Sequence, residues 1–205
     1  MDFVKYFPEL TSEQIAQFQA LQELYTDWNS KINVISRKDI DNIYERHVQH
    51  SLAIAKFVEE ELGGWKAGTT IVDVGCGGGF PGIPLSIRYP ECSFLLVDRI
   101  GKKVRVAQEI ANTIGLNNAE FRHAGIEEVK LTFDYAVSRA VMNLPDLLKL
   151  VKRVTTKGLI CLKGGDLTDE ITAAIAQRTQ VKDISQYFGE VFFQTKKVVY
   201  TKMNN

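Results

Sequence analysis

The sharpest chemical signal in the chain is the segment Ile71-Val72-Asp73-Val74-Gly75-Cys76-Gly77-Gly78-Gly79-Phe80-Pro81-Gly82-Ile83-Pro84. An apolar run enters a glycine-rich turn and leaves it toward a helix. Glycines in such a turn reach positive φ and let backbone come close to a ligand. The next apolar run, Ser93 to Val97, ends at Asp98, where a carboxylate can accept both hydroxyls of a ribose. Loop and acid together point to an adenosine-containing cofactor held around Gly75, Gly77, Gly79 and Asp98.

Two cofactors compete for that description. Gly77, Gly79 and Gly82 satisfy G-x-G-x-x-G, and Asp98 stands at the roughly 20-residue spacing of a nicotinamide dinucleotide fingerprint. A dinucleotide, however, needs backbone N–H groups at the helix start for its pyrophosphate, and Pro81 and Pro84 supply none. S-adenosylmethionine has no phosphate, and its sulfonium is best kept off a positive helix end. Gly75-x-Gly77-x-Gly79, directly after an acid-containing strand, is also the spacing usual in methyltransferases. S-adenosylmethionine is therefore the expected cofactor, with a nicotinamide-dependent oxidoreductase as the alternative.

The acceptor is constrained by what is missing. Enzymes that methylate exocyclic amines carry an Asn/Asp-Pro-Pro-aromatic motif after the fourth strand; this chain has Ser138-Arg139-Ala140 there. Methylation of a pyrimidine carbon needs a cysteine nucleophile. Cys76, the thiol near the loop, precedes the glycines and reads as a small side chain filling the turn. An acceptor that is already nucleophilic remains. Guanine N7 has a lone pair and no proton to lose, so alignment would suffice, but the residues alone leave the acceptor open. Arg139, at the carboxyl edge of the sheet, is the candidate positioning residue, touching cofactor or acceptor. Lys163 ends the next strand on the same edge. His47 and His50 are three apart on a helix, but with His123 as the only other histidine no metal site is expected. His47 reads as a side chain packed between cap and sheet, or as a contact to the acceptor.

The elements that must hold these groups fall into two parts, residues 1–68 and 69–205. The first is a helical cap. Thr11 and Gln14 have capping-box spacing, and Ile15, Phe18, Leu21, Tyr25 and Trp28 form one apolar face. A second helical run starts near Asp39, continues through Ile43, His47, Leu52 and Phe57, and stops at Gly63-Gly64. The second part alternates strands and helices, which implies a mostly parallel sheet covered on both faces. Strands are predicted at Thr69–Val74, Cys92–Val97, Ala119–His123, Phe133–Val137 and Gly158–Leu162. A helix is predicted over Gly101–Ile114 and another around Pro145. Val181–Lys202 reads as two strands about Phe188-Gly189-Glu190, a terminal hairpin giving the sheet an antiparallel edge.

Composition sets outer limits. The 205 residues, 45% of them hydrophobic, suffice for one α/β domain with an extension. Lys and Arg total 25, as do Asp and Glu, which argues against indiscriminate nucleic-acid binding but not against a local basic patch. Lys31, Arg37, Lys38 and Arg46 form one basic group; Arg99, Lys102, Lys103 and Arg105 form another at the cofactor edge. Three scattered cysteines fit a reducing compartment. No stretch reaches membrane-span length, and the N-terminus lacks a signal-peptide pattern. A cytoplasmic protein is expected.

Several segments now support a resemblance that covers nearly the whole chain. They are Asn33-Val34-Ile35-Ser36, Glu45-Arg46-His47 with Ser51-Leu52, the loop Asp73 to Pro84, Gly101-Lys102-Lys103, Gly125-Ile126-Glu127-Glu128, Ser138-Arg139-Ala140 and Leu162-Lys163-Gly164. The chain resembles the bacterial small-subunit rRNA guanine-N7 methyltransferase G family, also called the glucose-inhibited division protein B family. One departure is Cys76, where the family often has Ser or Thr. The resemblance implies an α/β, Rossmann-like class I S-adenosylmethionine-dependent methyltransferase fold, with a mostly parallel seven-stranded sheet and an N-terminal helical extension. It implies methylation of N7 of a guanine, guanine 527, in a 16S rRNA hairpin near the decoding region. It places cofactor against Gly75, Phe80, Ile126 and Glu127 and near Arg139. The RNA-contact candidates are Arg37, Arg46, Lys102, Lys103 and Lys163, the partner is the small ribosomal subunit, and the expected state is a monomer. A non-enzymatic ribosome-assembly module with a vestigial cofactor site is the remaining alternative; turnover distinguishes the two.

Overall fold

The computed structural model describes residues 3–36, 38–139 and 141–203. Up to residue 69 the regular structure is helical. A short α1 (Phe3–Tyr6) precedes α2 (Ser12–Lys31). α2 starts with the expected capping box: the Thr11 hydroxyl accepts from the Gln14 N–H, and the Gln14 side-chain oxygen accepts from the Thr11 N–H. The Gln14 amide also donates to the Ile87 carbonyl at 2.7 Å, so the residue that closes the cap pins α2 to the layer beneath.

The second helical run is less regular than its hydrophobic period suggests. A 3₁₀ turn (Ile40–Asn42) and a widened π-type turn (Tyr44–Gln49) come before α3 (His50–Glu61). Side chains engage carbonyls of the widened turn: Arg139 Nη1 donates to Arg46 O at 3.3 Å, and the Ser51 hydroxyl donates to His47 O at 2.6 Å. Such bonds compete with the regular helical ladder, and wide turns of this kind recur at functional sites.

The chain then builds β1 (Thr70–Val74), α4 (Gly82–Arg88), β2 (Ser93–Asp98), α5 (Gly101–Thr113), β3 (Ala119–His123), β4 (Phe133–Arg139), α6 (Leu144–Val151), β5 (Thr155–Gly164), α7 (Ala173–Ala176), β6 (Thr179–Asp183) and β7 (Lys196–Lys202). The seven strands form one sheet in the order β3-β2-β1-β4-β5-β7-β6. β1 to β5 pair in parallel, and β7 runs antiparallel between β5 and β6. β1 is apolar because both its faces are covered, and its last four residues are buried. Asn143 caps α6 by accepting the Asp146 N–H at 3.0 Å, with Pro145 in the first turn.

The terminal pair differs from the predicted hairpin. β6 and β7 do pair antiparallel, Thr179 opposite Thr201 and Asp183 opposite Lys197. Their connection is not a tight turn: residues 184–195 make two 3₁₀ turns that bury Ile184, Phe188 and Phe193. Ile184 and Phe193 fall in runs that read as strand, and Phe188 at the expected turn; all three are core contacts of a packed loop.

Two hydrophobic clusters lie on the faces of the sheet. One joins Phe18, Leu21, Leu52 and Phe57 of the cap to Ile83, Leu96, Ile160 and Tyr200. The other joins Val72, Val97, Leu159 and Val199 to Leu147, Leu148 and Val151 of α6. The order of strands reverses between β1 and β4. Side chains and loops leaving the carboxyl ends there diverge and open a crevice, where ligands of open α/β sheets bind.

Candidate active site

Four chain segments meet at that crevice. The first is the turn after β1. Gly75, Gly77 and Gly79 have φ of +72°, +54° and +106°, conformations that strongly favour glycine. A Cβ on Gly75 would stand 2.6 Å from Val141 Cγ2, so close approach as well as φ fixes that position. The Gly77 N–H donates to Asp98 Oδ2 at 2.8 Å, and Asp98 Oδ1 accepts from the Ile100 N–H at 2.7 Å. The acid at the end of β2 therefore holds the glycine turn and the start of α5 together. Each carboxylate oxygen retains a further acceptor site.

Asp73, two residues before Gly75, is fully buried. Its Oδ2 accepts from the Gly82 N–H at 2.7 Å, while Oδ1 has no partner among the described residues. Burial raises its carboxyl to about 7, against the opposing influence of the Gly82 N–H and Arg139. A Cβ on Gly82 would crowd Leu96 and Asp73, so glycine is needed for that contact. The rest of the first turn of α4 is equally occupied. Ile83 N–H donates to Gly79 O at 2.8 Å, Leu85 N–H to Pro81 O at 3.2 Å, and Pro84 has no N–H. No donor there remains for a pyrophosphate. The cradle thus fits an adenosyl ligand without phosphates.

A cleft of about 520 Å³ opens beside this turn, lined by Gly75, Asp98, Ile126 and Glu127, with Ile100, Val141 and Met142 as apolar walls. Its volume lies in the range of small-molecule sites. Ile126 is buried, and the Gly125 N–H is held by Glu128 Oε1 at 2.7 Å. The Glu127 carboxylate pairs with Arg99. Gly77 adjoins the cleft through Asp98. Phe80 faces the other way: its ring lies 4.8 Å from Tyr25, 5.0 Å from His47 and 5.2 Å from the Arg139 guanidinium. Cys76 is buried, and burial pushes its thiol well up, as suits a space-filling side chain.

Arg139 ends β4, in register with Leu162. Its Nη2 donates to His47 Nδ1 at 2.8 Å. Burial lowers it to about 10 while Asp73 and Tyr25 oppose the shift, so it stays a cation. It lines a second cavity, of about 280 Å³, between cap and sheet edge, with Arg46, His47, His50, Phe192 and Lys196. His47 and His50 are each lowered to about 3, by burial first and Arg139 second; both rings are neutral near pH 7.

The basic candidates are dispersed. Arg46 lines the second cavity and pairs with Asp39. Lys163 lines it too, but its ammonium is engaged by Met142 O at 2.6 Å and Glu170 at 2.7 Å. Lys102 is exposed and Lys103 half-buried on the first turn of α5, at the cleft side. Arg37 lies outside the described residues. Sequence reasoning passed over Asp73, His50, Phe192 and Lys196 as site residues. Asp73 carried a signal, an acid inside an apolar strand; Phe192 and Lys196 come from a loop whose path the sequence does not disclose.

Sheet order, the antiparallel penultimate strand and the crevice at the β1/β4 reversal define the Rossmann-like fold of S-adenosylmethionine-dependent methyltransferases. Magnesium protoporphyrin IX methyltransferase from Synechocystis PCC 6803, solved with SAM bound, shares that fold with a TM-score of 0.58, over 96% of this chain and 99% of that one at 14% identity. The family described as rRNA small subunit methyltransferase G matches residues 14–199. Proteins called ribosomal RNA small subunit methyltransferase G are 56% identical in Bacteroides thetaiotaomicron, over 98% of each chain, and 57% identical in Bacteroides fragilis, over 96% of this chain and 97% of that one. The chain belongs to the rRNA small subunit methyltransferase G family.

Proposed function

We propose that the protein uses S-adenosylmethionine to methylate N7 of a guanine, guanine 527, in 16S rRNA of the small ribosomal subunit. The observation that carries this reading is the pairing of two cavities. One is an adenosyl cleft whose neighbouring helix start has no free phosphate donor. The other, next to it, is lined by the cations Arg46, Arg139 and Lys196. When bound, the cofactor supplies an electrophilic methyl: the N7 lone pair forms the N–C bond as the C–S pair returns to sulfur, leaving neutral S-adenosylhomocysteine and a 7-methylguanosine cation.

Asp98 is the residue proposed to accept the ribose hydroxyls, with Gly75 and Gly77 forming the turn beneath. Ile126 packs against the adenine, and Glu127, steadied by Arg99, lies at its edge. Phe80 acts from outside the cleft, as the face on which Arg139 rests. Arg139 positions the acceptor and holds no proton in play. N7 carries no proton, so a general base is unnecessary, and the neutral histidines of the second cavity suit a reaction run by alignment. Arg46, Lys102 and Lys103 are proposed to meet RNA phosphates, with Arg37 the remaining member of that set. Lys163 is proposed to fix the Met142 and Glu170 segments beside the acceptor. The reading implies a monomer working on the small subunit in the cytoplasm.

The test is nuclease digestion and mass mapping of 7-methylguanosine in small-subunit rRNA. Deleting the gene should remove one modified guanine, wild type should restore it, and Arg139→Ala should not. An unchanged map on deletion would sink the rRNA assignment.

A further inference from the structure

The stretch that follows β4 serves both cavities. Arg139 lines the second, and Val141 and Met142, just beyond it, wall the cofactor cleft. Val141 also crowds the glycine turn, where a Cβ on Gly75 would meet its Cγ2 at 2.6 Å. This link between β4 and α6 has no regular structure of its own. Among the described residues, the backbone of Val141 and Met142 has one hydrogen-bond partner, the Lys163 ammonium, which donates to Met142 O at 2.6 Å. Lys163 in turn donates to Glu170 Oε2 at 2.7 Å, and the same oxygen accepts the Leu144 N–H at 2.6 Å. One ion pair therefore grips the link twice: the cation holds a carbonyl, the anion an N–H.

The pair is itself held firmly. The Lys163 side chain is 9% exposed and that of Glu170 26%, so water and salt compete weakly for bonds that already carry a charge. The chain reverses at Gly165, with φ of +75°. Asp166 Oδ1 then accepts the Thr168 N–H at 2.9 Å and its hydroxyl at 2.6 Å. Leu167 O accepts the N–H groups of Glu170 and Ile171 at 3.0 and 2.9 Å. Leu167 is buried, and Ile171 packs against the same cluster. Glu170 is thus returned to Lys163 by a turn anchored at both ends.

We propose that Glu170 is a positioning residue for methyl transfer: through Lys163 and the Leu144 N–H it fixes Val141 and Met142 as the cofactor wall, in register with Arg139 on the acceptor side. This rests on the methyl-transfer reading above and not on which acceptor atom is methylated. A reaction run by alignment is sensitive to such a setting, since a displacement of about 1 Å can cost about 100-fold. The assignment also accounts for a basic residue at the acceptor cavity whose charge is spent within the protein. Lys163 as a clamp and Lys163 as a phosphate contact predict opposite effects of removing Glu170. A lysine that binds phosphate would hold RNA at least as well once freed; a clamp would lose its grip on the link.

The test compares wild type with Glu170→Ala, Glu170→Gln and the double variant Lys163→Met with Glu170→Gln, on small subunits from cells lacking the gene. Four quantities are read: kcat and KM for methyl transfer, S-adenosylmethionine Kd by calorimetry, Tm, and hydrogen exchange of residues 141–144 in the free protein. Glu170→Ala should lower kcat about 10- to 100-fold with KM for the subunit unchanged. It should raise the S-adenosylmethionine Kd about 3- to 10-fold, the worth of a lost hydrogen bond, and hasten exchange at 141–144. Glu170→Gln keeps an oxygen for both donors and should recover most of the rate. The double variant strands no charge, so its Tm should match wild type while kcat stays low, Met142 O having lost its donor. Wild-type kcat and exchange in Glu170→Ala would overturn the clamp, as would a lowered KM at unchanged kcat, the mark of a phosphate contact. Rate losses that merely followed Tm across the three variants would overturn it too. If wild type methylated no subunit, the rRNA reading would fall, while faster exchange and weaker cofactor binding in Glu170→Ala would still uphold the clamp.

Discussion

Asp73 shows how far one residue's environment can depart from its type. A carboxyl group sits at zero exposure with one oxygen engaged by Gly82 and the other by nothing among the described residues. Burial favours its neutral form and raises it from 3.8 to about 7. A carboxyl raised on folding supports the fold fully below its unfolded value, and that support is lost as pH rises through the folded value. Asp73→Asn keeps an oxygen for the Gly82 N–H and cannot ionise. The wild-type Tm should therefore fall relative to Asp73→Asn as pH rises from about 4 to about 7, and the gap should then level off. Thermal melts of the two proteins across that window decide it; parallel curves would mean Asp73 does not change protonation on folding.

At the scale of elements, the contact that matters most joins α2 to the glycine turn. Tyr25, wholly buried, donates its hydroxyl to Gly78 O at 2.6 Å, and its ring packs on Phe80. Tyr25→Phe keeps the ring and strands the Gly78 carbonyl, which should cost about 1–3 kcal/mol of stability and weaken S-adenosylmethionine binding by loosening the turn. Denaturant titration and calorimetric binding measure the two effects; unchanged affinity would show that the turn holds its shape without the cap. The glycine turn, Asp98 and Arg139 were legible in the sequence because strand ends in an open sheet place chemistry at one edge. The strands were legible for a related reason, apolar runs bounded by glycine. The widened turn before α3 was not, since Ile43, His47 and Phe57 keep a helical period whichever carbonyl each N–H reaches. The β6–β7 connection was misread because Ile184 and Phe193 look the same in a strand as in a packed loop, and Phe188-Gly189-Glu190 looks like a tight turn. The cavity of His47, His50 and Phe192 stayed hidden because it needs cap and terminal loop brought together across most of the chain.

For the whole molecule, the change at residue 69 from helices to alternating strands marks a change of secondary structure within a continuous core. Phe18, Leu21, Leu52 and Phe57 share one cluster with Ile83 of α4, Ile110 of α5 and Leu96, Ile160 and Tyr200 of the sheet, so the cap, with α4 and α5, makes up one of the two layers that bury the sheet. A sheet stripped of that layer would expose an apolar face, and the cap alone would have nothing to bury its own against. Folding should therefore be a single event. The two tryptophans report on different parts: Trp28 belongs to α2, while Trp65 packs on Tyr89, Phe94 and Tyr135. Single-tryptophan proteins, Trp65→Phe and Trp28→Phe, should each give one fluorescence transition in denaturant, with both midpoints tracking the same protein's circular dichroism. Leu52→Ala, which opens a cavity in the shared cluster, should lower stability by about 2–5 kcal/mol at both probes alike. If Leu52→Ala moved the Trp28 transition and left that of Trp65 in place, the cap would be a separate folding unit. Its contacts with Arg139 and the glycine turn would then be a docking equilibrium that the RNA or the cofactor can shift.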